Sequence, residues 1–115
     1  MTVLLDPGSQ YNLIDPDFAL KVFPSGFRPV PEGSGGRFLD GSFFPFIGSV
    51  EALWLVGDTR FPSRFITTEF MVAERPLEYN LVIGKSEIRR HRLDSGERRA
   101  GIFGFIKKKA KVDRK

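Results

Sequence analysis

The sequence predicts a mainly β domain, a small barrel carrying one or two short helices. Short apolar runs broken by Gly, Pro, Asn, Asp and Ser recur along residues 2–93, the pattern of strands joined by turns. Asp40-Gly41 and Gly57-Asp58 each stand between two such runs, where a hairpin turn needs residues that tolerate positive φ. Twelve Phe in 115 residues supply bulky filling for a barrel core.

Thr2 to Leu5 reads as the first strand. Asp15 to Phe23 reads as a short helix. Asp15 suits the cap, Pro16 the first helical position and Asp17 the positive end of the dipole, while Pro24 and Gly26 stop it. Pro29 to Gly36 holds two Pro, three Gly and a Ser, the composition of a loop. Arg37 to Leu39 and Phe43 to Leu55 read as strands around Asp40-Gly41, and Phe61 to Val72 returns after Gly57-Asp58. Neighbours in a strand face opposite sides, so Phe43 and Phe44 cannot both enter the core. Trp54 is read as core. Leu81 to Ile83 is a short apolar strand, and Lys85 to Arg92 a second helix.

Composition excludes several chemistries. There is no Cys, so disulfides and thiolate metal sites are absent, and a lone histidine, His91, cannot build a zinc site; no metal or cofactor is expected. His91 lies in the charged run Arg89-Arg90-His91-Arg92, which gives a Ser-His-Asp arrangement little support. No apolar run approaches the roughly 18 residues a membrane helix needs, and no basic region precedes an apolar stretch at the N-terminus, so the expected setting is intracellular, without a membrane. Charge is uneven. Residues 1–84 carry six basic and ten acidic residues, 85–106 six and three, and 107–115 six and one. The basic tail reads first as a solvated, disordered end, with weak contact to nucleic acid or a localisation signal as the alternative.

Leu4-Leu5-Asp6-Pro7-Gly8-Ser9 is the candidate site. An apolar strand ending in Asp-x-Gly holds a carboxylate at the edge of a core, and Gly8 can take backbone angles closed to other residues and pack beneath it. The same triplet pattern at Asp94-Ser95-Gly96 lies among charged residues, with only 19 residues after it, and reads as an ordinary turn.

Three motifs together resemble the retropepsin-like, retroviral-type aspartic protease domain, in its retroelement-derived or domesticated form. Asp6-Pro7-Gly8 looks like its active-site turn, Phe38 to Gly48 like its flap hairpin, and Tyr79 to Lys85 like its apolar-apolar-Gly signature before a helix. Their order matches, with 35 residues from Asp6 to Gly41 and 43 from Gly41 to Gly84. The resemblance covers residues 2–93. It implies a small closed β-barrel, a domain over 1–93, possibly without the family's N-terminal strand because Met1 lies five residues before Asp6, and a C-terminal extension with a basic tail over 94–115. It implies Asp6 as catalytic, Pro7, Gly8 and Ser9 as the active-site turn, Asp40, Gly41 and Ser42 as the flap, and Phe43, Ile83 and Gly84 as lining the substrate groove. One Asp per chain implies a homodimer hydrolysing peptide or protein substrates with an activated water, and residues 102–106 as a candidate interface strand.

The chain departs from that pattern at Pro7, where the family carries Thr or Ser, and at Gln10 and Lys85, where many members pair an acidic residue with Arg. Pro7 has neither hydroxyl nor backbone N–H to tie two active-site loops together. Three readings stay open: a dimeric aspartic endopeptidase, a catalytically silent binding or dimerisation module of a retroelement-derived protein, and a nucleic-acid-associated protein using the tail.

Overall fold

A computed structural model describes residues 2–37, 40–56, 64–93, 96–98 and 104–107. Among the described residues, eight strands and two helices follow in order: β1 (Val3–Leu5), β2 (Leu13–Ile14), α1 (Pro16–Val22), β3 (Gly35–Arg37), β4 (Phe43–Val56), β5 (Arg64–Ala73), β6 (Leu81–Ile83), α2 (Lys85–His91), β7 (Gly96–Arg98) and β8 (Gly104–Lys107). The protein is mainly β, as its composition and turn pattern predict. Among the described residues no helix is long and apolar enough to cross a membrane.

The strands form one curled sheet in the order β3-β4-β5-β2-β6-β1-β7, with β8 alongside β4. That path is open: β3 and β7 end it and do not pair with one another. A half-barrel therefore stands, among the described residues, where the resemblance implies a closed barrel. Its centre is made by crossing connections. β1 pairs parallel with β6, β6 antiparallel with β2, and β2 parallel with β5. β4 and β5 are the long pair, in register from Ser49↔Met71 to Val56↔Arg64, with an irregularity between Phe46 and Gly48.

Local chemistry explains the helices. Asp15 is the N-cap of α1 and accepts the Phe18 N–H, with Pro16 at the first position and Asp17 in the first turn. α2 starts at Gly84 without a side-chain cap and stops at Arg92, which adopts the left-handed conformation at φ 55°. Both match the expected helices to within a residue.

Period-two burial explains the sheet. Val50, Ala52 and Trp54 of β4 and Ile66, Phe70 and Val72 of β5 point inward and meet Val3, Leu5, Ile14, Leu81, Ile83 and Ile88 in the main core. Trp54 is fully buried, as read, and donates its indole N–H to Thr68 Oγ1 at 2.9 Å. Thr68 Oγ1 in turn lies 3.2 Å from Glu87 Oε1, which anchors α2 to β5. A second cluster under the β3–β4 hairpin holds Phe44, Phe46 and Ala73, with Leu13, Val30, Met71 and Leu77 against it. Phe44 is buried and Phe43 is 40% exposed, the alternation expected of neighbours in a strand.

Four differences from the sequence reading stand out. The Pro29 to Gly36 loop is shorter than read, because Gly35-Gly36 already pair with Pro45 and Phe44 in β3. The two-residue strand β2 went unread. Gly96 opens β7, which pairs antiparallel with β1, rather than simply closing a turn; Asp94 and Ser95 lie outside the described residues. β8 pairs with β4 of its own chain, where residues 102–106 were read as a candidate interface strand. The Gly57-Asp58 turn, Phe38 and Leu39, and the tail beyond Lys107 also lie outside the described residues.

Candidate functional site

Asp6 follows β1 directly. Its N–H donates to Ile83 O at 2.9 Å, which extends the parallel β1–β6 pairing by one residue and sets the carboxylate beside Ile83-Gly84. The chain then turns back: Ser9 N–H donates to Asp6 O at 3.0 Å, and Gly8 N–H donates to Asp6 Oδ1 at 2.9 Å. The half-exposed Asp6 side chain is thus oriented by its own turn, while Pro7 and Gly8 stand exposed. Gly8 packs beneath the carboxylate as expected, but without the positive φ. It is absent from the positive-φ glycines, and a Cβ there would sit 3.3 Å from Asp6 Oδ1. Its contribution is the N–H and the space under the carboxylate.

The turn is clamped from one side by the start of α2. Lys85 N–H donates to Ser9 O at 2.9 Å, and Gly84 N–H to Asn12 Oδ1 at 2.8 Å. A Cβ on Gly84 would lie 2.7 Å from Tyr11 O and 2.8 Å from Ser9 O, so the two backbones meet only because residue 84 has no side chain. Ser9 Oγ donates to Tyr11 O at 2.7 Å and stiffens the same loop. Ile83 is fully buried in the main core, so its carbonyl, rather than its side chain, faces the turn. The Gln10 and Lys85 side chains are both exposed.

Tyr11 ties the turn to the hairpin. Its ring edge packs on Gly36 of β3 and meets the Phe46 ring edge-on, with centroids 5.1 Å apart. Neither Tyr11 nor Asn12 was singled out in the sequence. Both lie in a polar stretch without periodicity, and their partners are distant in the chain.

The hairpin tip is a separate small structure. Asp40 Oδ1 accepts Ser42 N–H at 2.8 Å and Ser42 Oγ–H at 2.7 Å, and Gly41 between them has φ +89°. Arg37 donates to Gly41 O at 2.9 Å and its guanidinium lies over the Phe43 ring, 5.6 Å from the centroid. The hydrogen bond from the Ser42 hydroxyl, then that from its backbone, holds the Asp40 carboxyl below its ordinary pKa. A depressed folded-state pKa contributes order above the ordinary value and loses it as pH falls through the folded value. Ser42→Ala is therefore expected to raise the Asp40 pKa toward that of a free aspartate and to let the tip loosen at higher pH than in the parent. An NMR titration of the Asp40 carboxyl carbon reads this directly, and an unmoved titration would contradict it.

The structure thus brings Asp6, Pro7, Gly8 and Ser9 together with Ile83 and Gly84. It sets Asp40, Gly41, Ser42 and Phe43 on the hairpin, whose base reaches the turn through Tyr11. Chemically, the cluster offers one oriented carboxylate at an exposed turn. Comparison with protein-family models, curated proteins and solved structures returns no match.

Proposed function

We propose that the chain is one subunit of a homodimeric aspartic endopeptidase in which each copy contributes Asp6. The carrying observation is the Asp6 turn: a half-exposed carboxylate at a strand end, aligned by the Gly8 N–H at 2.9 Å and braced against Ile83-Gly84. It supports the retropepsin-like reading that the sequence motifs suggest. Two such carboxylates about 3 Å apart cannot both ionise, so one keeps a proton and the other acts as base. The ionised member takes a proton from water as its oxygen attacks the scissile carbonyl. The protonated member gives its proton to the carbonyl oxygen. The tetrahedral intermediate then collapses: the C–N bond breaks, the leaving nitrogen takes the proton that the first Asp6 received from water, and a hydroxyl of the intermediate returns its proton to the second Asp6. Asp40 to Phe43 would cover the bound peptide. No cofactor takes part, and the compartment proposed is intracellular.

The test is peptide cleavage under acid conditions together with sedimentation equilibrium. Cleavage is expected from the dimer and is expected to vanish in Asp6→Asn, which cannot share the proton. Undiminished cleavage by that variant would eliminate the mechanism.

Pro7 favours a second reading, a silent retropepsin-like binding or dimerisation module. It is exposed and has no N–H or hydroxyl to join two turns. Pro7→Thr is expected to tighten the dimer roughly tenfold, since two restored hydrogen bonds across a twofold axis contribute about 0.5–1.5 kcal/mol each. It should also raise cleavage, while the freer unfolded chain costs about 0.4–1 kcal/mol of subunit stability. If Pro7→Thr neither associates more tightly nor cuts, the silent module is the better reading.

A further inference from the structure

We infer that the exposed face of α2 is a docking surface for the phosphate backbone of nucleic acid. Residues 85–92 carry Lys85, Arg89, Arg90 and Arg92 against one acid, Glu87. The fold separates them. Glu87 and Ile88 are buried, whereas Lys85, Ser86, Arg89, Arg90 and Arg92 are all exposed. Glu87 is engaged inward, with Thr68 Oγ1 at 3.2 Å and His91 Nε2 at 3.1 Å from its Oε1, and only Arg90 of the exposed set approaches it, at 3.7 Å. Lys85, Arg89 and Arg92 have no acidic partner within 4 Å among the described residues. Lys85 and Arg89, at i and i+4, form one stripe along the helix, and Arg92 stands exposed at its left-handed C-cap.

The helix dipole does not account for the stripe. Cations in the last turn complement it, which covers Arg89, Arg90 and His91. Lys85 occupies the first turn, where a cation is unfavourable, and stands four residues from Arg89, a like-charge spacing that costs stability. An anion bridging the stripe relieves both. The exposed face is also purely polar. It offers no apolar anchor of the kind a docked peptide needs and no apolar side for a lipid surface. Three guanidinium forks beside one ammonium suit phosphate oxygens, which neutralise charge without reading bases. The surface draws on residues 85–92 and on neither the basic residues of 107–115 nor Asp6, and it stands whether or not the chain cuts peptides.

The test is fluorescence anisotropy of the full chain with a 20-nucleotide single strand of mixed sequence across a salt series. Each neutralised phosphate contributes about 0.7 to the slope of log affinity against log salt for single strands. The double variant Arg89→Gln with Arg92→Gln should lower that slope by about 1.4 and weaken binding about tenfold at low salt. Arg89→Lys with Arg92→Lys should retain the slope, since charge is what is read. The Gln pair should lower the slope again in a chain whose Lys108, Lys109, Lys111, Arg114 and Lys115 are already Gln, because the charges removed on α2 are additional to those of the tail. A slope unchanged by the Gln pair in either background would overturn the inference. So would loss of the slope in the Lys pair, or equally salt-dependent binding to a polyglutamate peptide or to phosphatidylserine vesicles. If the Gln pair lowers the melting temperature, Lys85→Gln replaces it, with a slope change of about 0.7 expected and no change overturning the inference.

Discussion

Gly84→Ala is expected to destabilise the protein by at least about 1–3 kcal/mol and to dislodge the Asp6 turn even in molecules that stay folded. The added Cβ would meet Tyr11 O and Ser9 O at 2.7 and 2.8 Å, and both are backbone atoms with no rotamer to move away. Relief requires the 9–11 loop or the start of α2 to shift. Either shift breaks Lys85 N–H to Ser9 O and Gly84 N–H to Asn12 Oδ1, each contributing about 0.5–1.5 kcal/mol. A domain of this size loses roughly 3–6 °C of melting temperature per kcal/mol. A fall of about 10 °C, with faster exchange of the Gly84 and Lys85 amides, is the expected outcome. Lys85→Ala next door, at an exposed position, should lower neither the melting temperature nor the amide protection. An unaltered melting temperature in Gly84→Ala would mean that the approach is looser than the geometry indicates.

Asp15→Ala is expected to have a comparable effect by a different route. One oxygen of Asp15 accepts Phe18 N–H at 3.1 Å and caps α1; the other accepts Leu77 N–H at 2.8 Å and fastens the segment before β6. Losing the cap costs about 0.5–2 kcal/mol, and removing the acceptor of a part-buried N–H about 1–3 kcal/mol. Asp15→Asn keeps one acceptor oxygen and turns the other into a donor, so it should cost about half as much. Chemical denaturation of the three proteins is expected to order them Asp, Asn, Ala, with a similar m-value throughout. Equal stability of the Asn and Ala variants would show that only one of the two bonds matters.

These two residues mark how far the sequence can be read. Asp15 was legible as a helix cap, because capping is a relation between residues three apart. Its bond to Leu77, 62 residues away, was not. Gly84 was legible as the end of an apolar-Gly signature, but the pressure on it comes from carbonyls of residues 9 and 11. Within the candidate site, Asp6, Gly8 and Gly84 could be named from motif and order. Tyr11, Asn12 and Gly36 could not, since nothing in a short polar loop says which distant strand it will touch. Gly8 was named for its backbone freedom and its packing beneath the carboxylate, and only the packing is used, together with its N–H.

By itself the sequence determined the mainly β character, both helices with their limits, the opposite facing of Phe43 and Phe44, the burial of Trp54, and the strand-end aspartate. Each rests on a relation spanning a few residues: a cap, a two-residue alternation, a turn pair. Only the tertiary structure decided which strands lie together. The parallel pairing of Leu5 with Ile83 joins residues 78 apart and depends on the whole core closing around it. β2 has two residues, too few for any period, and exists because it lies between β5 and β6. β7 comes from a segment with little strand pattern, and β8 overlaps residues 102–106, which were read as a strand but for another chain. The backbone groups along β1 and β4 need hydrogen-bond partners, and these segments supply them.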